Sequence, residues 1–144
     1  MLAGLLALIV AAAFAGASLY VNIAEQPARL ALDDRALLLQ WQGAHKRGFA
    51  MQAPLCVVGC LLGLLAWWQI GGWGFVVGAV AMIASGPWTG VAMAGINKAL
   101  WATEAEAAGP ATRALIARWA ARHAVRTALG FAATVAFLAA CRSA

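Results

Sequence analysis

The chain has 144 residues, of which 65% are hydrophobic and only 10% are charged. A soluble domain is typically about 45–50% apolar with about a quarter of its residues charged, so this composition excludes an ordinary soluble fold. The formal net charge of +5 would suit a nucleic-acid-binding protein, but the basic residues are distributed as in a membrane protein, and we expect no nucleic-acid partner.

The first predicted transmembrane helix covers about residues 2–25, and its first 23 residues carry no charge. No basic residue precedes it, and it is longer than the 7–15 apolar residues of a secretory signal. We therefore expect it to be retained in the protein. It should stop or kink at Pro27, because proline lacks the backbone donor that a helix needs.

Residues 28–47 are predicted to form the first loop. Within this loop, the segment 33–41 starts with an aspartate pair and continues with leucines and a tryptophan. Asp33 is a typical helix N-cap residue. The pattern predicts a short helix that lies at the membrane interface.

A long stretch without charge, from Phe49 to Met93, predicts two further transmembrane helices. About 20 residues cross a bilayer, so we place the helices at about 49–70 and 73–98, with a Gly71-Gly72 turn between them. Pro87 should kink the third helix and leave the carbonyl of Ile83 without its helical partner. Backbone exposed in this way is tolerated only against protein or a wet cavity.

The fourth predicted helix covers about residues 110–141 and follows a third loop at 99–109. Pro110 suits the first turn of a helix, because its missing donor is not needed there. The sequence thus predicts an all-α fold, a four-transmembrane-helix bundle with an interfacial helix in the first loop. We expect it to be a single integral membrane domain over 1–144.

Nine of the ten basic residues lie in or beside the first and third loops. They are Arg29, Arg35, Lys46, Arg47, Lys98, Arg113, Arg118, Arg122 and Arg126. These two loops share one membrane face, which the positive-inside rule places in the cytoplasm. We therefore expect a multi-pass protein of the plasma (inner) membrane with both termini outside the cytoplasm.

Three GxxxG spacings predict places where helices approach closely. The pairs are Gly59/Gly63, Gly74/Gly78 and Gly86/Gly90.

Each helix carries one stripe of polar or small side chains at helical spacing. The stripes are Ser18, Asn22 and Glu25; Gln52, Cys56, Gly59, Gly63 and Trp67; Ser85, Thr89, Met93 and Asn97; and Trp119, His123, Arg126 and Thr127. Four such stripes facing one another predict a polar interior near the cytoplasmic end. Glu25, Asn97, His123 and Arg126 would be unpaired if they were buried apart, at a cost of about a few kcal/mol each. We expect these four to meet around one cavity, with Glu25 within reach of His123 or an arginine.

Ionisable side chains inside a membrane span are costly and indicate a functional site. The candidates for catalysis are Glu25, His123 and Arg126, together with Asn97. The structural alternative is that Glu25 only lies at a helix end and that Arg126 extends to the interface. Asn22, Thr89 and Thr127 would then only hydrogen-bond between helices. The three cysteines form no CxxC pair and are interpreted as packing residues.

A metal site has little support in the sequence. The chain has two histidines, His45 and His123, and no HExxH motif. A metal would have to be held by Glu25 with one or both of them.

Two strings resemble a known family. The segment Tyr20-Val21-Asn22-Ile23-Ala24-Glu25-Gln26-Pro27-Ala28-Arg29 resembles the start of the anthrone oxygenase-like family of small four-helix membrane proteins. The segment Trp119-Ala120-Ala121-Arg122-His123-Ala124-Val125-Arg126-Thr127 is similar to that family's last-helix motif. Trp41, Gln52, Asn97 and Leu100 also match, whereas Gly95 stands where members often carry proline.

This resemblance implies a membrane-embedded oxygenase that acts on a hydrophobic substrate, with polycyclic anthrones as the family's class, by base-assisted enolate formation with dioxygen. His123 would be the base, and Glu25 would orient it or act as base itself. Arg126 or Arg29 would stabilise the oxyanion. The other predicted substrate-binding residues are Asn22, Gln52, Trp88 and Trp119. No cofactor is needed for this chemistry, and a metal or haem stays open.

Two other classes of function are also open. One is a small proton-coupled exporter that uses Glu25, although such glutamates usually lie mid-span. The other is a non-catalytic membrane subunit that binds a lipid or a partner protein. The expected partners are the lipid bilayer and a hydrophobic small molecule, and a homo-oligomer is compatible with the sequence.

Overall fold

The computed structural model describes all residues, 1–144, and consists of four long helices joined by short connections. The helices are α1 (Leu2–Leu30), α2 (Asp34–Ile70), α3 (Trp73–Ala102) and α4 (Pro110–Ser143). All four are long and apolar enough to cross a membrane. The predicted all-α, four-helix fold is therefore confirmed.

The helices form a closed up-and-down bundle in which α1 and α3 each pack against both α2 and α4. One end holds the connections 31–33 and 103–109 and most of the basic residues, and we call it the basic end. The other end holds the turn at Gly71 and Gly72, whose positive φ angles of 76° and 89° suit glycine. Both chain termini lie at that end, because the number of helices is even.

The predicted first loop over 28–47 is wrong, because only residues 31–33 separate α1 from α2. Asp33 does cap a helix, and its side chain accepts a hydrogen bond from the backbone N–H of Ala36 at 2.9 Å. That helix is not a separate interfacial segment but the first part of the 37-residue α2. No proline interrupts it before Pro54, and the buried Trp41 fixes it in the bundle.

Proline residues in α1 and α3 are accommodated by π turns rather than by helix ends. In α1 a π turn over Val21–Glu25 precedes Pro27, and the helix continues to Leu30. In α3 a π turn over Thr89–Met93 follows Pro87, and the Thr89 hydroxyl donates to the carbonyl of Ser85 at 2.7 Å. Such turns are frequent at functional sites, since they change the register of the side chains that follow.

Two apolar clusters fill the bundle. The cluster towards the termini contains small residues and aromatic rings from all four helices, including Ala7, Phe14, Phe75, Met82 and Phe137. The cluster at the basic end includes Leu37, Trp41, Met93, Leu100, Ile116 and Trp119. A layer of buried polar side chains lies between them, and it contains the candidate site.

Two of the three predicted GxxxG pairs are places of close approach. A Cβ on Gly63 would lie 2.7 Å from Cε1 of Phe137, and one on Gly74 would lie 2.9 Å from Cβ of Ala140. The third pair is wrong: a Cβ on Gly86 or Gly90 would meet nothing within 4 Å. Both glycines are exposed and lie beside Pro87 and the π turn.

Candidate functional site

Side chains from all four helices line one polar cavity in this buried layer. It contains Glu25 and Arg29 of α1, His45 and Gln52 of α2, Thr89, Met93 and Asn97 of α3, and Trp119, His123 and Arg126 of α4. The four residues predicted for catalysis are thus brought together. The cavity volume is about 40 Å³, which is enough for a few water molecules.

His123 is buried and is held by Asn22 of α1. The two side chains meet with Nδ1 of His123 2.9 Å from Oδ1 of Asn22, and the Asn22 Nδ2 donates to the carbonyl of Ala120 at 3.0 Å. A carbonyl can only accept, so the Asn22 amide is oriented with its oxygen towards the histidine. His123 therefore donates through Nδ1–H, and Nε2, which bonds no protein atom, is the unprotonated nitrogen when the ring is neutral.

Arg126 is a buried arginine without an acidic partner. It is 8% exposed, and its guanidinium donates to Thr89 Oγ1 at 2.9 Å and to Gln52 Oε1 at 3.1 Å. Its charge also lies over the ring of Phe14, 5.6 Å from the centroid. The Nε–H has no partner. Arg126 does not extend to the interface, so its full charge remains inside the bundle.

Glu25 forms an ion pair with Arg29, one helical turn later, at 2.7 Å, and does not contact His123. Gln40 of α2 donates to the same carboxylate oxygen at 2.9 Å. Arg29 is 2% exposed, yet its Nε and Nη1 have no partner. Asn22, and not Glu25, therefore contacts the imidazole of His123, and Glu25 holds Arg29.

Trp119 forms an aromatic wall beside His123, with ring centroids 4.8 Å apart in a stacked arrangement. Its indole N–H donates to Oδ1 of Asn97 at 3.0 Å, and Arg29 lies over its ring at 5.8 Å. Because an indole N–H is only a donor, the amide of Asn97 is fixed with its Nδ2 directed away from Trp119. Asn97 thus has a free donor at the cavity.

Two predicted residues do not line the cavity. Asn22 lies behind His123, as described above. Trp88 is half-buried, and its indole N–H donates to the carbonyl of Arg122 at 3.0 Å. Trp88 therefore joins α3 to α4 and is not a wall of this cavity.

His45 also lines this site, although the sequence predicts a role for it only as a metal ligand together with Glu25. His45 stacks on Trp41 with centroids 4.7 Å apart, and its Nδ1 accepts from the indole N–H of Trp101 at 3.3 Å. His45 falls in the predicted first loop, but it is four residues after Trp41 and seven before Gln52. That spacing places all three on one face of a continuous helix.

The charges around the cavity do not balance. Arg29 and Arg126 contribute two cations, and Glu25 contributes the only carboxylate. A buried charge without a partner is costly, and an anion placed between these groups would remove that cost. The cavity is therefore complementary to a small anionic group.

No three His, Cys, Asp or Glu side chains lie close enough together to hold a metal ion.

Comparison with known protein families gives one match. The family model for anthrone oxygenase matches residues 41–136, which is two thirds of the chain. The match includes Gln52, Asn97, Trp119, His123 and Arg126, whereas α1 with Asn22, Glu25 and Arg29 precedes it. No curated protein and no solved structure matches the chain. The chain belongs to the anthrone oxygenase family.

Proposed function

We propose that this protein is a membrane-embedded oxygenase that oxidises a hydrophobic, ionisable substrate with dioxygen. One observation carries this proposal: His123, with a free Nε2, and Arg126, with no acidic partner, line the same cavity. A base and an unpaired cation are the two groups needed to form an enolate and hold it.

The first step is removal of a proton from a carbon beside a carbonyl group. Nε2 of His123 accepts the proton, and Asn22 stabilises the resulting imidazolium through its contact with Nδ1. Arg126 stabilises the enolate oxygen, with Arg29 as a second cation at the cavity. Positioned general-base groups typically contribute about 10²–10⁴ in rate.

The oxidation itself uses dioxygen as the electron acceptor. For a CH₂ group as in an anthrone, the enolate transfers one electron to O₂, and the carbon radical and superoxide then combine to a peroxide anion. That anion takes a proton back from the imidazolium. Loss of the second C–H proton and cleavage of the O–O bond give a ketone and water, so one oxygen atom enters the product and the other leaves as H₂O.

The membrane placement is part of the proposal. The basic end faces the cytoplasm, both termini lie outside it, and residues 1–144 act as one domain in the plasma membrane. The apolar substrate reaches the site from the bilayer. The exporter alternative gains no support, because Glu25 is ion-paired to Arg29 and is not a free proton carrier.

Dioxygen uptake by the purified protein in liposomes tests the proposal, with anthrone as the probe substrate. We expect uptake above that of empty liposomes, and a loss of at least about 100-fold in His123→Ala, since the base is removed. Arg118→Ala is the control, because Arg118 is exposed on the same helix. A non-catalytic binding subunit would give no uptake above empty liposomes in any variant, which would refute the proposal.

A further inference from the structure

Two clefts open beside the cavity, and they differ in character. The α1–α2 cleft, about 570 Å³, includes Glu25, Gln40 and Arg47 among its lining residues. The α2–α3 cleft, about 370 Å³, is lined by Phe49, Ala53, Cys56, Val57, Ile83, Ser85, Gly86, Thr89, Gly90 and Arg126. The first is thus a charged opening at the basic end, and the second is an apolar opening within the membrane-spanning part.

The α2–α3 cleft exists because α3 has no side chains to fill it. Gly86 and Gly90 are one turn apart, and neither has any atom within 4 Å of an added Cβ. The π turn at Thr89–Met93 lies in the same part of the helix. Gly63 approaches a neighbouring helix and is close-packed against it, whereas Gly86 and Gly90 are not. These two glycines therefore leave space for a bound molecule.

Polar groups at the inner end of this cleft lack partners. Ser85 is 1% exposed, its hydroxyl has no nitrogen or oxygen partner and lies beside the weakly bonding thiol of Cys56, and Nε of Arg126 is unpaired. Both residues line the cleft. Unpaired polar atoms in a buried setting cost about 1–3 kcal/mol each, so an oxygen-bearing ligand would satisfy them. Arg126 also lines the central cavity, where the candidate base His123 lies.

We propose that the α2–α3 cleft binds the rings of a flat aromatic phenol or enol that enters from the hydrocarbon region of the bilayer, with its acidic oxygen at Arg126. The central cavity of about 40 Å³ is too small for such rings, whereas ligand pockets usually measure about 300–1,000 Å³. Charge complementarity selects the acidic oxygen, because Arg126 has no acid in the protein, and the aromatic rings follow from the proposed function. The α1–α2 cleft does not hold the rings. The role of this ligand as substrate rests on the proposed function.

Binding of 1,8-dihydroxyanthraquinone to the protein in detergent tests the assignment, with quenching of tryptophan fluorescence as the readout. Gly90→Leu fills the α2–α3 cleft and should weaken binding at least tenfold. Ala53→Phe fills the same cleft from α2 and should do the same, so the result does not depend on one variant folding. Gly43→Leu fills the α1–α2 cleft and should leave the affinity within twofold.

The ring system and the acidic oxygen can be tested separately. Anthracene, which has the rings but no hydroxyl group, should bind at least tenfold more weakly than the dihydroxy compound. Unchanged affinity in both Gly90→Leu and Ala53→Phe would overturn the assignment, as would a loss in Gly43→Leu alone. Cleft-dependent binding without dioxygen uptake would leave this inference standing and refute the proposed function. Dioxygen uptake that stays at the wild-type level in both Gly90→Leu and Ala53→Phe would support the proposed function and overturn this inference.

Discussion

Asn22 determines which nitrogen of His123 carries the proton. Its amide is fixed by the carbonyl of Ala120, and its oxygen accepts both from His123 and from the Thr127 hydroxyl at 2.9 Å. A neutral imidazole in this position keeps Nε2 free. An amide partner, unlike a carboxylate, adds no negative charge that would offset the two arginines at the cavity.

Asn22→Leu keeps the approximate side-chain volume and removes the hydrogen bond to His123. We expect a mixture of imidazole tautomers and a fall in turnover of about 10–100-fold, because only part of the protein then has Nε2 as a base. Nitrogen NMR of labelled histidine distinguishes the tautomers directly. Asn97→Leu is the control, since Asn97 bonds Trp119 and its loss should leave the His123 tautomer unchanged. A single Nδ1–H tautomer in Asn22→Leu would contradict this account.

The residue types of the site could be predicted from the sequence, but their pairing could not. Helical spacing placed Glu25, Asn97, His123 and Arg126 on inward-facing stripes, and the structure places all four around one cavity. The partner of each depends on helix rotation, which the π turns at Val21–Glu25 and Thr89–Met93 change. Glu25 is expected within reach of His123 or an arginine, and the structure pairs it with Arg29.

Glycine spacing has two different consequences in this bundle. Gly63, Gly74 and Gly78 lie against side chains of α4, and the nearest neighbour of both Gly63 and Gly78 is Phe137. Gly86 and Gly90 lie against no side chain. The same GxxxG pattern therefore marks close packing in one half of α3 and an opening in the other.

Gly78→Ala should destabilise the protein by about 1–3 kcal/mol, since the added methyl group overlaps the fully buried ring of Phe137. Gly90→Ala is the matched variant and should be neutral or stabilising by up to about 1 kcal/mol, because alanine favours helix and meets no atom. Thermal unfolding in detergent measures both. Equal destabilisation by the two substitutions would contradict the distinction.

Helix boundaries at the basic end could not be predicted from the sequence. Charges and glycines between Arg35 and Gly48 resemble a loop, yet α2 is continuous there because Leu37, Leu38 and Trp41 are buried against α3 and α4. Arg113 fixes the short connection by bonding Asp34 at 2.7 Å and the carbonyls of Leu30 and Leu32 at 2.7 and 2.6 Å. These long-range contacts have no local sequence signal.

The distribution of charge over the whole molecule predicts its orientation. Nine of ten basic residues lie towards the basic end of the bundle, and only Arg142 lies near the other end. At Ala144, a fused reporter that works only outside the cytoplasm should be active, and one that works only in the cytoplasm should be inactive. A reporter inserted in residues 103–109 is the control and should behave in the opposite way. Activity of a cytoplasm-only reporter at Ala144 would refute the orientation and leave the helix count unaffected.

The central claim is that the buried charge of Arg126 stabilises an oxyanion of the ligand, and ionisation of a bound phenol measures this most directly. The colour change of 1,8-dihydroxyanthraquinone, recorded against pH in its complex with the protein, gives the pKa of the bound hydroxyl. An opposite charge within about 4–6 Å lowers such a pKa by about 1–3 units. We therefore expect a lower pKa in the wild-type protein than in Arg126→Gln, by at least about one unit. Arg118→Gln should match the wild type, and an equal pKa in the wild type and Arg126→Gln would contradict the account.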